Sequence, residues 1–213
     1  MKPVIIGNAE LHLCDCMDYM RGLPDKAFEL AIVDPPYGIG VNHNMGRRKG
    51  NKPSDFKPAV WDNEAPPESF FTELQRVSEN QIIWGANHFI SRMPWDSPCW
   101  LMWDKGFSGD VTFAQYELAW TSFASTAKKY DRNPNQQFRI HPTQKPVKLY
   151  EWLLANYAKA GDLILDTHFG SGSSAIACNN LGFKLVGCEL DADYFKAACE
   201  RVADAQRQKR MFA

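Results

Sequence analysis

The chain has 213 residues, a net charge of −1 and a composition that is 45% hydrophobic and 13% aromatic. That is enough apolar surface for one packed domain and too little net charge to hold nucleic acid by bulk attraction. No apolar run approaches the ~20 residues of a membrane span, and the apolar stretch near the N-terminus is too short for a signal peptide. Six cysteines (14, 16, 99, 178, 188 and 199) form no Cys-x-x-Cys and complete no zinc spacing. They read as reduced thiols, most of them in apolar segments, of a cytoplasmic protein without a metal.

In chain order, residues 4–6 and 11–13 read as short strands around a Gly7-Asn8 turn. A short helix over 17–23 follows, ended by Pro24-Asp25, with Asp15 placed to cap it. Residues 30–33 form an apolar run that stops at Asp34, and two prolines then force an extended turn. From Gly38 to about Val60 the chain is rich in Gly, Asn and basic residues and has no period, as in a loop. Pro66-Pro67-Glu68 opens an amphipathic helix with Phe70, Phe71, Leu74 and Val77 on one face. Strands are predicted over 81–84, 99–103 and 113–120, leaving Asn87, His88, Asp104 and Lys105 just past strand ends. Residues 121–140 are polar, basic and irregular. Pro146 begins a helix whose apolar positions are Val147, Tyr150, Leu153, Leu154 and Tyr157. A strand over 163–166, a tight Gly-Ser-rich loop, a helix over 175–181 and a strand over 184–188 then make a βαβ unit with Glu189 at its end. A final helix runs from about 191 to 208.

Charge is uneven along the chain. Residues 38–60 carry five basic side chains (Arg47, Arg48, Lys49, Lys52 and Lys57) against Asp55. Residues 121–148 carry six (Lys128, Lys129, Arg132, Arg139, Lys145 and Lys148) against Asp131, while 61–120 hold nine acids and three bases. Two basic, loop-like segments suit local contact with phosphates, or are simply solvated loops. The basic residues Arg47, Arg48, Lys49, Lys128, Lys129 and Arg132 are the candidates for such contact with a nucleic-acid backbone.

Asp34-Pro35-Pro36-Tyr37 places a carboxylate, a proline carbonyl and an aromatic ring at a strand's carboxyl end, where ligands bind in open α/β sheets. The exocyclic amine of adenine or cytosine is a poor nucleophile because its lone pair is delocalised into the ring. Two acceptors on its N–H bonds, Asp34 and the Pro35 carbonyl, favour the tetrahedral geometry it needs to accept a methyl group. Tyr37 offers a surface on which an extruded base can stack.

This tetrapeptide resembles the catalytic motif of the amino-methylating DNA methyltransferases, and its leading Asp resembles the adenine-N6 enzymes. Three further pieces carry the same resemblance. An Asp-Cys pair before the motif matches Asp15, which the resemblance places at the cofactor's adenine; a helix cap explains Asp15 equally well. His141-Pro142-Thr143-Gln144-Lys145-Pro146 resembles a signature lying against the methionine end of S-adenosylmethionine, with Thr143 and Lys145 as its contacts. Residues 166–172 resemble the cofactor loop, which implies Asp166, Phe169, Gly170, Ser171 and Gly172 there and Glu189 on the ribose. The loop departs from the pattern: Thr167 replaces Pro, His168 replaces Phe, and Phe169 comes one residue late. The catalytic motif precedes the cofactor loop, as in the permuted β group.

The resemblance implies a single Rossmann-like domain over 1–213, with a largely parallel seven-stranded sheet, one strand antiparallel, and 38–60 and 121–140 as DNA-contacting insertions. It implies methyl transfer from S-adenosylmethionine to adenine N6 of DNA, the chemistry of restriction–modification systems, with no metal and no membrane, and it leaves room for a homodimer. A cytosine-N4 enzyme, an RNA or protein amino-methyltransferase and a non-catalytic DNA-binding subunit are the alternatives.

Overall fold

The computed structural model describes residues 2–40, 60–106, 114–131 and 139–211, with the side chains of 60 and 209–211 left aside. In chain order the elements are β1 (Val4–Ile6), β2 (Ala9–Leu13), α1 (Cys16–Arg21), β3 (Phe28–Val33), α2 (Glu68–Val77), β4 (Ser78–Trp84), β5 (Trp100–Asp104), β6 (Tyr116–Thr121), β7 (Lys128–Asp131), α3 (Val147–Tyr157), β8 (Leu163–Asp166), α4 (Ser173–Leu181), β9 (Lys184–Glu189) and α5 (Ala192–Met211).

Among the described residues the strands make one sheet in the order β1-β2-β9-β8-β3-β4-β6-β5-β7. The five strands β2, β9, β8, β3 and β4 run parallel through its centre. β6 runs against β4, β5 against β6, and β7 alongside β5, so only β6 and the edge strand β1 point the other way. The fold is the expected Rossmann-like α/β architecture, but the sheet has nine strands with two reversed, not seven with one.

The apolar run of β3 is buried on both faces, as a central parallel strand requires. Leu30 and Ile32 join one core with Ile82, Trp84, Ile164 and Leu185, covered by Leu149, Leu153 and Leu154 of α3, Ile176 of α4 and Val202 of α5. Ala31 and Val33 join the other core with Ile83 and Leu165, covered by Met20 of α1 and by Phe70, Phe71, Leu74 and Val77 of α2. Three layers result, α3-α4-α5 on one face and α1-α2 on the other.

The segment 121–140 departs from its sequence reading, because residues 128–131 are the strand β7, paired in register with β5 from Leu101↔Lys128 to Asp104↔Asp131. An edge strand has one backbone neighbour and needs no alternating apolar face. Here only Tyr130 turns inward, its ring 5.2 Å from that of Trp152. Two lysines on an exposed edge also discourage pairing with another sheet.

Because the central strands share a direction, the turns after β2, β3, β4, β8 and β9 all open on one edge of the sheet. The reversed strand β6 brings its start, Tyr116 and Glu117, to that same edge, opposite Asp104 and Trp103.

Candidate active site

The corner at residues 34–38 is held by a residue that the sequence reading passes over. Asp62 is 1% exposed, and its Oδ1 accepts the backbone N–H of Tyr37 at 2.7 Å and of Gly38 at 3.2 Å. With Pro35 and Pro36 lacking N–H groups, these are the first donors after Asp34, and one buried carboxylate captures both. The Tyr37 ring lies over the backbone of Gly85, which has a left-handed φ of +71°; a Cβ there would sit 2.0 Å from Tyr37 Cε1. Glycine is therefore required twice at position 85, for its conformation and for the ring. Tyr37 also stacks on His88, with centroids 5.0 Å apart and planes 16° apart.

Asp34 is engaged through both oxygens. The Tyr37 hydroxyl donates to Oδ1 at 2.8 Å, and the Lys145 ammonium lies 2.5 Å from Oδ2. Lys145 Nζ is also 3.1 Å from Glu117 Oε2 and donates to the Tyr37 hydroxyl oxygen at 3.2 Å. Glu117 Oε1 in turn pairs with Lys105 at 2.5 Å. Two carboxylates and two ammoniums thus make a charge-balanced group. Burial pushes the Asp34 carboxyl above the usual carboxylate range, and Glu117 adds to this against the pull of Lys145. Burial would also raise Glu117, but the two lysines outweigh it and draw its pKa down to about 2. Burial disfavours the Lys145 ammonium, yet Asp34 and Glu117 hold it charged, above the ordinary lysine value. The indole of Trp84 lies beneath, 5.4 Å from Nζ.

The resemblance points Lys145 at the cofactor's carboxylate; the structure directs its side chain to Asp34 instead. Its backbone faces the cofactor side, where the Ser173 hydroxyl donates to the Lys145 carbonyl at 2.8 Å. One residue therefore joins the Asp-Pro-Pro-Tyr corner to the glycine loop. Thr143 stands beside it, with Oγ1 3.1 Å from His141 Nδ1. Burial lowers the His141 pKa to about 4, and its ring packs edge-on to that of Tyr194, 4.4 Å away.

The loop 167–172 is built by its neighbours. Asp166 accepts the Ser174 hydroxyl at 2.6 Å and the His168 N–H at 3.1 Å, so it orients the loop. Burial raises its pKa to about 7. Phe169 is 3% exposed and fills the space under the turn: a Cβ at Gly172 would sit 3.0 Å from its ring, and one at Gly187 2.9 Å. Arg201 Nη1 donates to the Ser171 carbonyl at 2.6 Å. Glu189 accepts the Gly170 N–H through Oε2 and the Leu190 and Asp191 N–H groups through Oε1. A Cβ at Gly170 would lie in ordinary contact with the His168 carbonyl oxygen at 3.7 Å and the His141 ring at 3.9 Å. A left-handed glycine turn and a carboxylate at the next strand end fit a nucleoside with a charged tail. Asp15 does cap α1, with Oδ1 accepting the N–H groups of Met17 and Asp18. It is exposed on the same edge.

His168, in the place of the usual Phe, has Nδ1 2.9 Å from the Thr167 hydroxyl and its ring edge-on to Phe70. Burial lowers its pKa to about 4. Of the basic candidates, Lys128 and Lys129 lie on β7. Lys128 Nζ sits over the Tyr157 ring, and Lys129 pairs with Asp131 at 2.7 Å. Arg47, Arg48, Lys49 and Arg132 lie outside the described residues. Among the described residues no cluster of His, Cys, Asp and Glu could hold a metal ion, and no helix is long and apolar enough to cross a membrane.

A buried carboxylate corner is thus joined through one residue to a glycine turn, at the carboxyl edge of a Rossmann-like sheet, which sets a candidate acceptor site beside a candidate nucleoside site. Solved structures of similar fold include a complex of M1.HpyAVI with SAM (19% identity over 91% of this chain and 99% of that one, TM-score 0.56). They also include the cytosine-N4-specific PvuII DNA methyltransferase (12% identity, 94% and 92% covered, TM-score 0.61). Among related sequences, YubD of Escherichia coli (strain K12), named as a candidate methylase, is 24% identical over 91% of this chain and 89% of its own length. The Type II methyltransferase M2.MboI of Moraxella bovis is 23% identical over 91% and 87%. Residues 60–200, well over half of the chain, match the N6/N4 DNA methylase family, and the chain belongs to that family. The match begins after Asp34, so the geometry of the acceptor corner is an observation independent of it.

Proposed function

We propose that the protein methylates the N6 amino group of adenine in DNA, with S-adenosylmethionine as donor. The observation that carries this reading is Lys145, whose carbonyl is tied to the cofactor loop through Ser173 and whose ammonium lies on Asp34. The two halves of the reaction therefore share one edge, as transfer of a single carbon requires.

S-adenosylmethionine would supply an electrophilic methyl group. Glu189 and Asp15 would hold its adenosine, Gly170, Ser171, Gly172 and Thr143 its charged tail, and Phe169 and Asp166 keep that loop in shape. On the other side, Asp34 and the Pro35 carbonyl accept the two N–H bonds of the target amine, Pro36 keeps the corner rigid, and Tyr37 meets the extruded base. Burial and Glu117 hold the Asp34 carboxyl above its usual range, which suits it to receive the proton the amine loses. Arg47, Arg48, Lys49, Lys128, Lys129 and Arg132 are proposed to contact the DNA backbone.

The fold of PvuII DNA methyltransferase supports a second reading, cytosine-N4. Methylation of random-sequence DNA followed by nucleoside mass spectrometry separates the two: N6-methyladenine is expected, and N4-methylcytosine alone would replace the first reading with the second. In the same assay Asp34→Ala should lose at least a thousandfold in kcat while still binding S-adenosylmethionine. Full activity in that variant would end the mechanism.

A further inference from the structure

We propose that Glu117 is a positioning residue for methyl transfer: it offers the Lys145 ammonium a second anionic berth, so that Lys145 can yield Asp34 Oδ2 to the target amine. This rests on the reading that Asp34 accepts that amine. Both Asp34 oxygens are occupied, Oδ1 by the Tyr37 hydroxyl and Oδ2 by Lys145. Each oxygen has a second lone pair, but a cation 2.5 Å from Oδ2 draws that oxygen's charge away from any further donor, so the amine gains the full acceptor only when Lys145 loosens. Lys145 has a 3% exposed side chain, and an ammonium driven off its only anion at such a site would be left buried and unpaired. Glu117 removes that obstacle. Its Oε2 already lies 3.1 Å from Nζ, is buried, and takes no hydrogen bond, so the contact is close but out of line and open to improvement. Its Oε1 is anchored by Lys105, which keeps the carboxylate in place while Lys145 moves. Nζ then exchanges one carboxylate for another without crossing water.

Glu117 was hidden in the sequence for a geometric reason. It falls inside an ordinary strand pattern, and only the reversal of β6 brings the start of that strand to the carboxyl edge.

The test is Glu117→Gln in the full chain, assayed with S-adenosylmethionine and random-sequence DNA over a range of pH. The groups facing Asp34 are Tyr37 on its own turn, Lys145 before α3, Tyr150 on α3, Glu117 on β6 and Asp166 on β8; the substitution removes one negative charge from this set. The expected result is a kcat at least tenfold lower, with cofactor affinity kept and the chain still folded at the assay temperature, at a lowered thermal midpoint. The acid limb of kcat/KM should move to lower pH, because Asp34 loses a like-charged neighbour. Glu117→Asp, which keeps the charge, should return the acid limb and part of kcat. Rates within twofold of wild type overturn the proposal. So does a loss of kcat matched by loss of folding or cofactor binding, which would make Glu117 a structural ion pair, or an Asp variant that folds yet behaves like the Gln one. An active Asp34→Ala would instead overturn the reading beneath it.

Discussion

At the scale of single residues, the site is expensive to keep folded at low pH. His168 and His141 are both held neutral, with pKa values lowered to about 4 by burial. Between roughly pH 6.5 and 4 the unfolded chain takes up protons at these rings and the folded chain does not, so acidification favours unfolding across that window and adds nothing below it. Asp166, raised to about 7, acts in the opposite sense between about pH 4 and 7, since there the folded chain holds the extra proton. A difference between variants isolates the histidine. His168→Phe should flatten the acid loss of stability by about 1–3 kcal/mol between pH 6.5 and 4, leaving stability at pH 8 changed by less. Urea unfolding at a series of pH values checks it, and parallel curves for the two proteins would show that His168 does not carry the effect. At this scale the sequence was legible where a motif names the residue. Asp34 and Tyr37 are bonded to each other, and Lys145 links them to Ser173, the residue that follows the Gly170–Gly172 turn. Asp62 and Gly85 were not legible as site residues, because one acts through two backbone N–H groups and the other through the absence of a side chain.

At the scale of elements, α2 is the clearest case of pattern becoming packing. Phe70, Phe71, Leu74 and Val77 are the buried residues of the helix, and all four were assigned to one face by period alone. Leu74 is completely buried against the sheet face that carries Ala31 and Val33. Leu74→Ala should cost about 2–4 kcal/mol in urea unfolding, whereas Leu190→Ala, at a position 71% exposed, should cost under about 0.5 kcal/mol. Similar costs at the two positions would contradict this packing. β7 shows where pattern fails: a Lys-Lys-Tyr-Asp edge strand is specified by its neighbour's backbone, and nothing in four residues of mostly exposed side chains announces it. β6 reads as a strand from sequence, but its direction does not, and direction is what delivers Glu117.

At the scale of the whole molecule, the order of motifs along the chain matters less than the edge on which they finish. Five parallel strands and one reversed strand bring pieces from residue 15 to residue 189 to the same edge, so residues far apart in the chain finish close to one another. The first β-turn and the last helix also touch. A side chain at Gly7 would run into Gln206, and Asn179 Oδ1 accepts the Asn8 N–H between them at 2.7 Å. Residues 159–161, at the far end of the cofactor half, are an exposed turn. A gene rearranged to begin at Gly161, with the old ends bridged by a short flexible linker, should therefore yield a circular permutant with the cofactor loop first. It should unfold in one cooperative transition and keep the donor affinity of the parent.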